Sequence, residues 1–594
     1  MGSTLKTNST RYLLILALVL ILGGGFLAHK IQTSGGIQIR DVRFTGSGGK
    51  QMSALLYIPP NVSGTSRAPG IVAIHGYINS RETQDGFAIE FARRGYVVLA
   101  VDQTGHGYSD PPAMANGFGG PDALNYLRSL DFVDPDNVAL EGHSMGGWAS
   151  VIAAAKNPQG YKSILLASSS TGSAGAPQGT AAFPRNLGLI FSTYDEFSAL
   201  MWGVPIPVNI VSAPKAKKVF NTEENIVPGQ LYGSIEEGTA RRLFQPRMIH
   251  PWVHFSSEAI GYAVDWMQAT LKGGNGLPSS DQIWIWKEIG TLSALIGMVL
   301  LLLPLGAYLL RTPFFKDLEE NAAPAKSMRG LGWWIGALIM AAMPVAIYMQ
   351  VWKYQGRGIL KANFIWGQQI TSVIMVWALV TAAISMMLFF LWHGLINRRS
   401  GAVMSDYGLA WKGGASWIKI AKSLLMAAVI IGTAYLSLVF SDWAFKTDYR
   451  FRVFAIKPMS RLQFGIFLGY LIPFMFYFLV LGAVLHGQMR KTRADEQPPA
   501  LWREMGINIV LLLAGLIGFL LYQYVPLFMG RPMPRPDLNL AAIVLFQFVV
   551  IFIIVGVVMT YFHRKTGHIY VGAFISALLV TWALTAGQAI HYPY

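Results

Sequence analysis

Long apolar segments fill the second half of the chain, and another lies near its start. The first covers residues 12–28, follows Arg11 and is just long enough to cross a bilayer. No A-x-A-like cleavage site follows it, so we favour an uncleaved anchor over a signal peptide. Segments so poor in charge have only lipid and each other to bury against, which predicts about nine membrane-spanning helices. After the first, the predicted spans are 285–310, 330–352, 365–392, 417–441, 460–485, 504–529, 538–562 and 568–590.

Between these segments, from about residue 37 to 271, the pattern changes to short apolar runs that alternate with helical stretches. Such runs, closed by turn residues, are typical of parallel strands covered on both faces. They predict a mostly parallel sheet flanked by helices, with strands at 70–74, 96–101, 138–141, 163–166 and 187–192. The predicted domains are an N-terminal anchor over 1–32, an α/β domain over 33–275 and an eight-helix transmembrane domain over 276–594.

Composition excludes several classes of protein. With 53% hydrophobic and 13% charged residues, the chain cannot be wholly soluble. It has no cysteine, which excludes disulfides, a cysteine nucleophile, zinc–thiolate sites and iron–sulfur clusters. The formal charge is +16, but no basic cluster is interleaved with base-stacking aromatic residues, so we expect no nucleic-acid partner. Because the cations flank apolar segments, the expected partner is the lipid bilayer.

The distribution of cations between the loops predicts an orientation in the cell membrane. With the N-terminus in the cytoplasm, the loops on that side carry more Lys and Arg, among them Arg398, Arg399 and Lys491, than the loops outside. The basic loop over 446–461 counts against this arrangement, because it would lie outside. On balance the sequence predicts a multi-pass membrane protein whose α/β domain is extracytoplasmic.

The candidate chemistry begins at Ser144. Residues 142–146 read G-H-S-M-G and lie between a predicted strand and a helix, which is the nucleophile-elbow pattern. So tight a turn strains the backbone at Ser144, and the residues two before and two after must be tiny; Gly142 and Gly146 meet that demand. The N–H of Met145 begins a helix, where it and the helix dipole can stabilise an oxyanion. Ser144 is therefore the candidate nucleophile.

On this motif and two further loops, residues 40–271 resemble the α/β-hydrolase superfamily, near its dienelactone hydrolase, esterase and prolyl oligopeptidase branches. The sequence H-G-Y at 75–77 follows a predicted strand and is similar to the family's oxyanion loop. The sequence D-Q-T-G-H-G-Y-S at 102–109 is similar to another loop of the family. The resemblance implies an α/β-hydrolase fold, a serine hydrolase of the carboxylesterase or lipase type, and an oxyanion hole formed by the N–H groups of Met145 and Tyr77.

The resemblance also implies that the acid and then the histidine follow the serine along the chain. Asp195, just after a predicted strand, is the favoured acid, and Glu196 is its competitor. His254, before the last predicted helix of the domain, is the favoured base, and His250 is the alternative. An imidazole is needed because it can take the serine proton and return it to the leaving group. We expect no cofactor and no metal.

The connection between the predicted acid and the predicted base is longer than most loops. It predicts an insertion over 199–247, with a helical segment over 233–244. The insertion would be either a lid that selects acyl groups or a surface segment packed on the membrane, and the sequence leaves both open.

These features predict a membrane-bound serine hydrolase that cleaves or transfers acyl groups of lipid-like or membrane-presented esters through an acyl-Ser144 intermediate. The lipid preference follows only from tethering to the membrane. One alternative is a membrane serine peptidase related to the prolyl oligopeptidase branch. Another is a transporter or receptor with a ligand-binding hydrolase-like domain, although the predicted spans show no obvious relay of Asp, Glu or Lys.

Overall fold

The structure, a computed structural model, describes residues 2–355, 358, 361–411, 414–491 and 498–594. Met1 and short stretches of the predicted transmembrane domain lie outside the described residues. The described chain forms a long N-terminal helix, α1 (Gly2–Gln32), then an α/β domain, and then a bundle of long helices.

A nine-stranded sheet is the centre of the α/β domain. The strands are β1 (Gln38–Thr45), β2 (Gln51–Ile58), β3 (Ala68–Ile74), β4 (Val97–Asp102), β5 (Val133–His143), β6 (Ser163–Ala167), β7 (Leu187–Ile190), β8 (Leu231–Tyr232) and β9 (Arg241–Phe244). Their order in the sheet is β1-β2-β4-β3-β5-β6-β7-β9-β8. Strands β3 to β7 and β9 run parallel to their neighbours within this set, while β1, β2 and β8 are antiparallel at the edges. This confirms the predicted mostly parallel sheet.

Helices cover both faces of the sheet, which explains why its central strands are apolar without interruption. Along β3, Val72 and Ile74 pack on one side, and Ile71 and Ala73 pack on the other. The helices of the domain are α2 (Asp85–Arg93), α3 (Gly120–Ser129), α4 (Met145–Lys156), α5 (Ser198–Trp202), α6 (Pro214–Phe220) and α7 (Ser257–Thr270). The first side of the sheet is covered by α3 and α4, and the second by α2 and α7.

The helix predicted over 233–244 is wrong. Its last residues instead form β9, which pairs in parallel with β7 from Leu187↔Arg241 to Ile190↔Phe244. Four residues are too few to show the hydrophobic period of a helix or of a strand. Their conformation is determined instead by pairing with the edge of β7. Part of the predicted insertion therefore belongs to the central sheet.

Nine helices within the described ranges are long and apolar enough to cross a membrane, and they indicate a multi-pass membrane protein. They are α1 and the eight helices that follow the α/β domain, in agreement with the predicted spans. The latter are α8 (Trp284–Leu309), α9 (Gly330–Gln355), α10 (Gln369–Leu395), α11 (Trp417–Phe445), α12 (Arg461–Ala483), α13 (Leu501–Phe528), α14 (Asn539–Thr566) and α15 (Tyr570–Gly587).

The N-terminal helix is part of this bundle, because α1 packs along α8. A Cβ atom on Gly24 would lie 2.5 Å from the carbonyl oxygen of Gly290, and one on Gly297 would lie 2.7 Å from that of Ala17. The two backbones therefore approach closely at small residues, which is how apolar helices associate without a hydrophobic driving force between them.

Buried ion pairs join the α/β domain to the bundle. Lys457, which follows a short hairpin of β10 (Tyr449–Phe451) and β11 (Phe454–Ile456), lies 2.7 Å from Glu82. Lys287 of α8 forms a second pair with Asp85 of α2. Desolvation offsets much of the attraction in such pairs.

Candidate active site

The turn between β5 and α4 has the geometry of a nucleophile elbow. Ser144 adopts φ 54° and ψ −120°, a strained conformation for a residue with a side chain. A Cβ on Gly142 would lie 2.2 Å from the Gly146 carbonyl oxygen, and one on Gly146 would lie 2.0 Å from that of Ile74. Only glycine fits at these two positions, and Ser144 is raised at the carboxyl end of the parallel strands.

The loop after β3 lies against this turn. A Cβ on Gly76 would be 3.2 Å from the Cβ of Ser144, and Tyr77 and Met145 line the same cavity as Ser144. Among the hydrogen bonds of the described residues, neither the Tyr77 N–H nor the Met145 N–H donates to another group. Two amide donors beside the serine are therefore available for a substrate oxygen.

Asp195 and His250 form a buried acid–base pair. His250 Nδ1 lies 2.9 Å from Asp195 Oδ2 and 3.1 Å from Oδ1, and the Phe197 N–H also donates to Oδ1. Burial alone would raise the pKa of Asp195, but His250 and the Phe197 N–H lower it below its ordinary value. Burial would lower the pKa of His250, but the Asp195 carboxylate raises it above its ordinary value. The imidazole is held with Nδ1 toward the acid.

The structure does not bring His254, the base that the sequence favours, to Asp195. The His254 ring packs on His143, with ring centroids 4.0 Å apart, and neither of its nitrogens has a hydrogen-bond partner among the described groups. Burial and the neighbouring imidazoles hold its pKa well below the ordinary value. Backbone pairing explains which histidine lies beside the acid. Tyr194 and Ile249 form a parallel β-bridge, so the residues that follow them, Asp195 and His250, are neighbours.

Glu196, the competing acid, has a different set of partners. Its Oε2 accepts the backbone N–H of His250 at 2.7 Å, and its Oε1 accepts the Tyr524 hydroxyl at 2.7 Å. Burial, together with the charge of Asp195, raises the pKa of Glu196 to about 7. Glu196 therefore contacts the backbone of His250 and not its ring.

Ser144 and His250 line a common cavity of about 290 Å³ between the α/β domain and the bundle. Leu540, Ile543 and Gln547 of α14 form part of its wall. The lining is mostly apolar, and no Asp, Glu, Lys or Arg occurs among the described residues that line it. The cavity suits an uncharged, apolar group.

The segment after α15 also reaches the site. The Tyr77 hydroxyl lies 2.8 Å from His591 Nε2, and Ile590 exchanges backbone hydrogen bonds with Gly105 and Ala113 at 2.7 Å each. Neither His591 nor Tyr524 is signalled by a local motif, because each reaches the site only through the packing of the bundle.

One group among the described residues has ligand atoms close enough together for a metal ion. Atoms of His486, Glu504 and His563 lie within 4.8 Å of one another at the other end of the bundle. Arg564 pairs with Glu504 at 2.7 Å, and Arg490 lies nearby. These cations oppose a metal ion there, and the group is remote from Ser144.

Known proteins are similar to the α/β domain. Residues 69–194 match the family model described as alpha/beta hydrolase fold. An uncharacterized protein of Mycobacterium tuberculosis is 35% identical over 107 residues, which are 17% of this chain and 29% of that protein. The 2-(acetamidomethylene)succinate hydrolase of Mesorhizobium japonicum is 32% identical over 108 residues, 18% of this chain and 37% of that protein. The chain thus matches about a third of the length of these curated relatives.

Two solved structures of esterases are also similar to part of this chain. A bacterial heroin esterase is 15% identical with a TM-score of 0.29, over 40% of this chain and 86% of that one. An esterase of Pyrobaculum calidifontis is 15% identical with a TM-score of 0.28, over 43% of this chain and 91% of that one. The observed sheet and the family match show that the domain has the α/β-hydrolase fold, as predicted.

Proposed function

We propose that the protein is a membrane-bound serine hydrolase that cleaves or transfers acyl groups of lipid-like or membrane-presented esters through an acyl-Ser144 intermediate. The observation that supports it best is one apolar cavity that contains Ser144 on its strained turn, two unpaired amide donors and the imidazole of the Asp195–His250 pair. We assign the base to His250, since His254 has no carboxylate partner.

In the proposed reaction, His250 Nε2 takes the proton of the Ser144 hydroxyl as the oxygen attacks the ester carbonyl carbon. The carbonyl oxygen becomes an oxyanion that accepts the N–H groups of Met145 and Tyr77. As the C–O bond of the ester breaks, the imidazolium returns the proton to the departing alcohol, and an acyl-Ser144 ester remains. Water, or an acceptor alcohol, then attacks the acyl carbon while His250 Nε2 takes its proton. The imidazolium returns this proton to the Ser144 oxygen as the bond between that oxygen and the acyl carbon breaks. Asp195 stabilises the imidazolium throughout.

The substrate class follows from the walls of the cavity. Because part of the wall comes from α14, an apolar chain in the outer half of the bilayer would have a short path to Ser144. The absence of charged side chains from the described lining favours a neutral acyl group over a carboxylate-bearing one. The α/β domain would lie outside the cytoplasm, as the loop charges predict.

Activity-based labelling of the full-length protein tests this proposal. We expect a fluorophosphonate probe to label wild type on a single serine, and the variant Ser144→Ala to lose the label. Ser169→Ala is the matched control. The Ser169 hydroxyl, just after the end of β6, donates to the Ser144 carbonyl oxygen at 2.6 Å, but Ser169 is not the proposed nucleophile. Equal labelling of wild type and Ser144→Ala would exclude the acyl-serine mechanism.

A further inference from the structure

Glu196 connects the acid–base pair to the membrane bundle. It is only 4% exposed, and each of its two carboxylate oxygens has a partner of its own. One oxygen accepts the His250 backbone N–H and the other accepts the Tyr524 hydroxyl, both at 2.7 Å. The Asn539 side-chain amide donates to the Glu196 backbone carbonyl. The residue that follows the catalytic acid is thus held by α13 and α14.

Tyr524 is itself fixed in place. Its ring is buried on α13 between Phe528 and Phe546, with ring centroids 6.0 Å and 5.3 Å away. A buried tyrosine needs a partner for its hydroxyl, and here the partner is a carboxylate, which forms a stronger hydrogen bond than a neutral acceptor. The bundle therefore presents a rigid donor to a carboxylate of the catalytic domain.

The surroundings of His250 show what Glu196 adds. The Asp195 carboxylate faces Nδ1, Glu196 faces the backbone N–H, and the His143 Nε2 lies 3.0 Å from the His250 carbonyl oxygen. His254 is the other titratable group near the ring. Asp195 orients the imidazole plane, while Glu196 and His143 hold the backbone from which the ring projects. Without Glu196 the buried N–H of His250 would lose its partner.

We propose that Tyr524 and Glu196 are positioning residues: the Tyr524 hydroxyl holds the Glu196 carboxylate in place, and Glu196 fixes His250 for proton transfer at Ser144. This inference rests on the proposed function of the site. It gives the bundle a part in catalysis beyond anchoring, because the helix that carries Tyr524 must be correctly packed for His250 to be aligned.

The test compares Tyr524→Phe with Tyr522→Phe in the full-length protein. Tyr522 lies on the same helix but is 51% exposed, so its hydroxyl is a matched control. We measure kcat and KM on a p-nitrophenyl ester and the rate of fluorophosphonate labelling. Above about pH 7, where Glu196 is ionised, loss of this hydrogen bond to a charged group predicts a fall in kcat of about tenfold or more for Tyr524→Phe, with little change in KM. Tyr522→Phe should behave like wild type.

A second variant separates positioning from a merely structural role. Glu196→Gln keeps an acceptor oxygen for the His250 N–H but removes the negative charge. When it is ionised, Glu196 raises the pKa of His250, so the acid limb of the pH–rate profile should move to lower pH in Glu196→Gln. A purely structural contact would not shift this limb. If Tyr524→Phe does not fold, the acid limb measured for Glu196→Gln decides the question.

The outcomes distinguish this inference from the proposed function. Wild-type kcat in Tyr524→Phe, or an unshifted acid limb in Glu196→Gln, would overturn the positioning role even while Ser144→Ala loses its label. Retention of the label in Ser144→Ala would instead overturn the proposed function.

Discussion

At the scale of single side chains, two adjacent carboxylates have different roles because they have different neighbours. Asp195 faces an imidazole and an amide N–H, which lower its pKa, whereas burial raises the pKa of Glu196 to about 7. The first is suited to stabilise an imidazolium, and the second to hold a backbone amide.

The choice of base is tested by a pair of substitutions, His250→Gln and His254→Gln. We expect His250→Gln to lower kcat/KM by at least about a thousandfold, because it removes the group that we propose as the acceptor of the serine proton. His254→Gln should retain most of the activity, since the His254 ring has no partner in the proposed mechanism. The measurement is ester hydrolysis at fixed pH. The opposite order would return the role of base to His254.

A second prediction concerns pH. An imidazole accepts a proton only when neutral, so activity should fall as pH drops through the pKa of His250, which Asp195 raises above the ordinary 6.5. Replacing Asp195 by Asn removes that influence, so the acid limb of kcat/KM should move to lower pH while the maximum falls by about a thousandfold or more. Asp265→Asn, at an exposed position of α7, is the control. An unshifted limb in Asp195→Asn would contradict the assignment.

At this scale, the sequence predicts only those site residues that a local pattern identifies. Ser144 and Asp195 can be singled out because a tight turn needs particular neighbours and an acid follows a strand end. The choice between His250 and His254 cannot be made locally, since the bridge between Tyr194 and Ile249 decides it. Tyr524 is 328 residues from Glu196, and only the packing of the bundle brings them together.

At the scale of elements, long patterns are predictable and short ones depend on their neighbours. The spans of the bundle agree with their predicted ranges because each repeats one signal over five or more turns. Central strands such as β3 are recognisable because both of their faces are apolar. Strand β9 is not, since it has only four residues and its conformation comes from β7.

Helix α14 supports a prediction about substrate length. Ile543 lines the cavity, while Ile553 on the same helix is 41% exposed. Ile543→Trp should fill part of the cavity and lower kcat/KM for long-chain relative to short-chain p-nitrophenyl esters by about tenfold or more. Ile553→Trp should leave the ratio unchanged. An unchanged ratio in Ile543→Trp would show that the acyl chain does not occupy this side of the cavity.

For the whole molecule, the orientation in the membrane can be tested directly because the chain contains no cysteine. Lys218→Cys places one thiol at an exposed position of the α/β domain, and Arg399→Cys places one at an exposed loop on the opposite predicted side. In intact cells we expect a membrane-impermeant thiol reagent to modify the first and not the second. Permeabilised cells should show both. Modification of only the second in intact cells would invert the proposed topology.

The contacts made by the first turns of α14 predict that activity depends on the thickness of the bilayer. Asn539 holds the backbone of Glu196, and the next turn of the same helix walls the cavity. A helix adapts to a thinner or thicker bilayer by tilting, which would displace both contacts at once. We therefore expect turnover to pass through a maximum as the tails of phosphatidylcholine vesicles are lengthened. Turnover that does not change with tail length would mean that the thickness of the bilayer does not affect the cavity around Ser144.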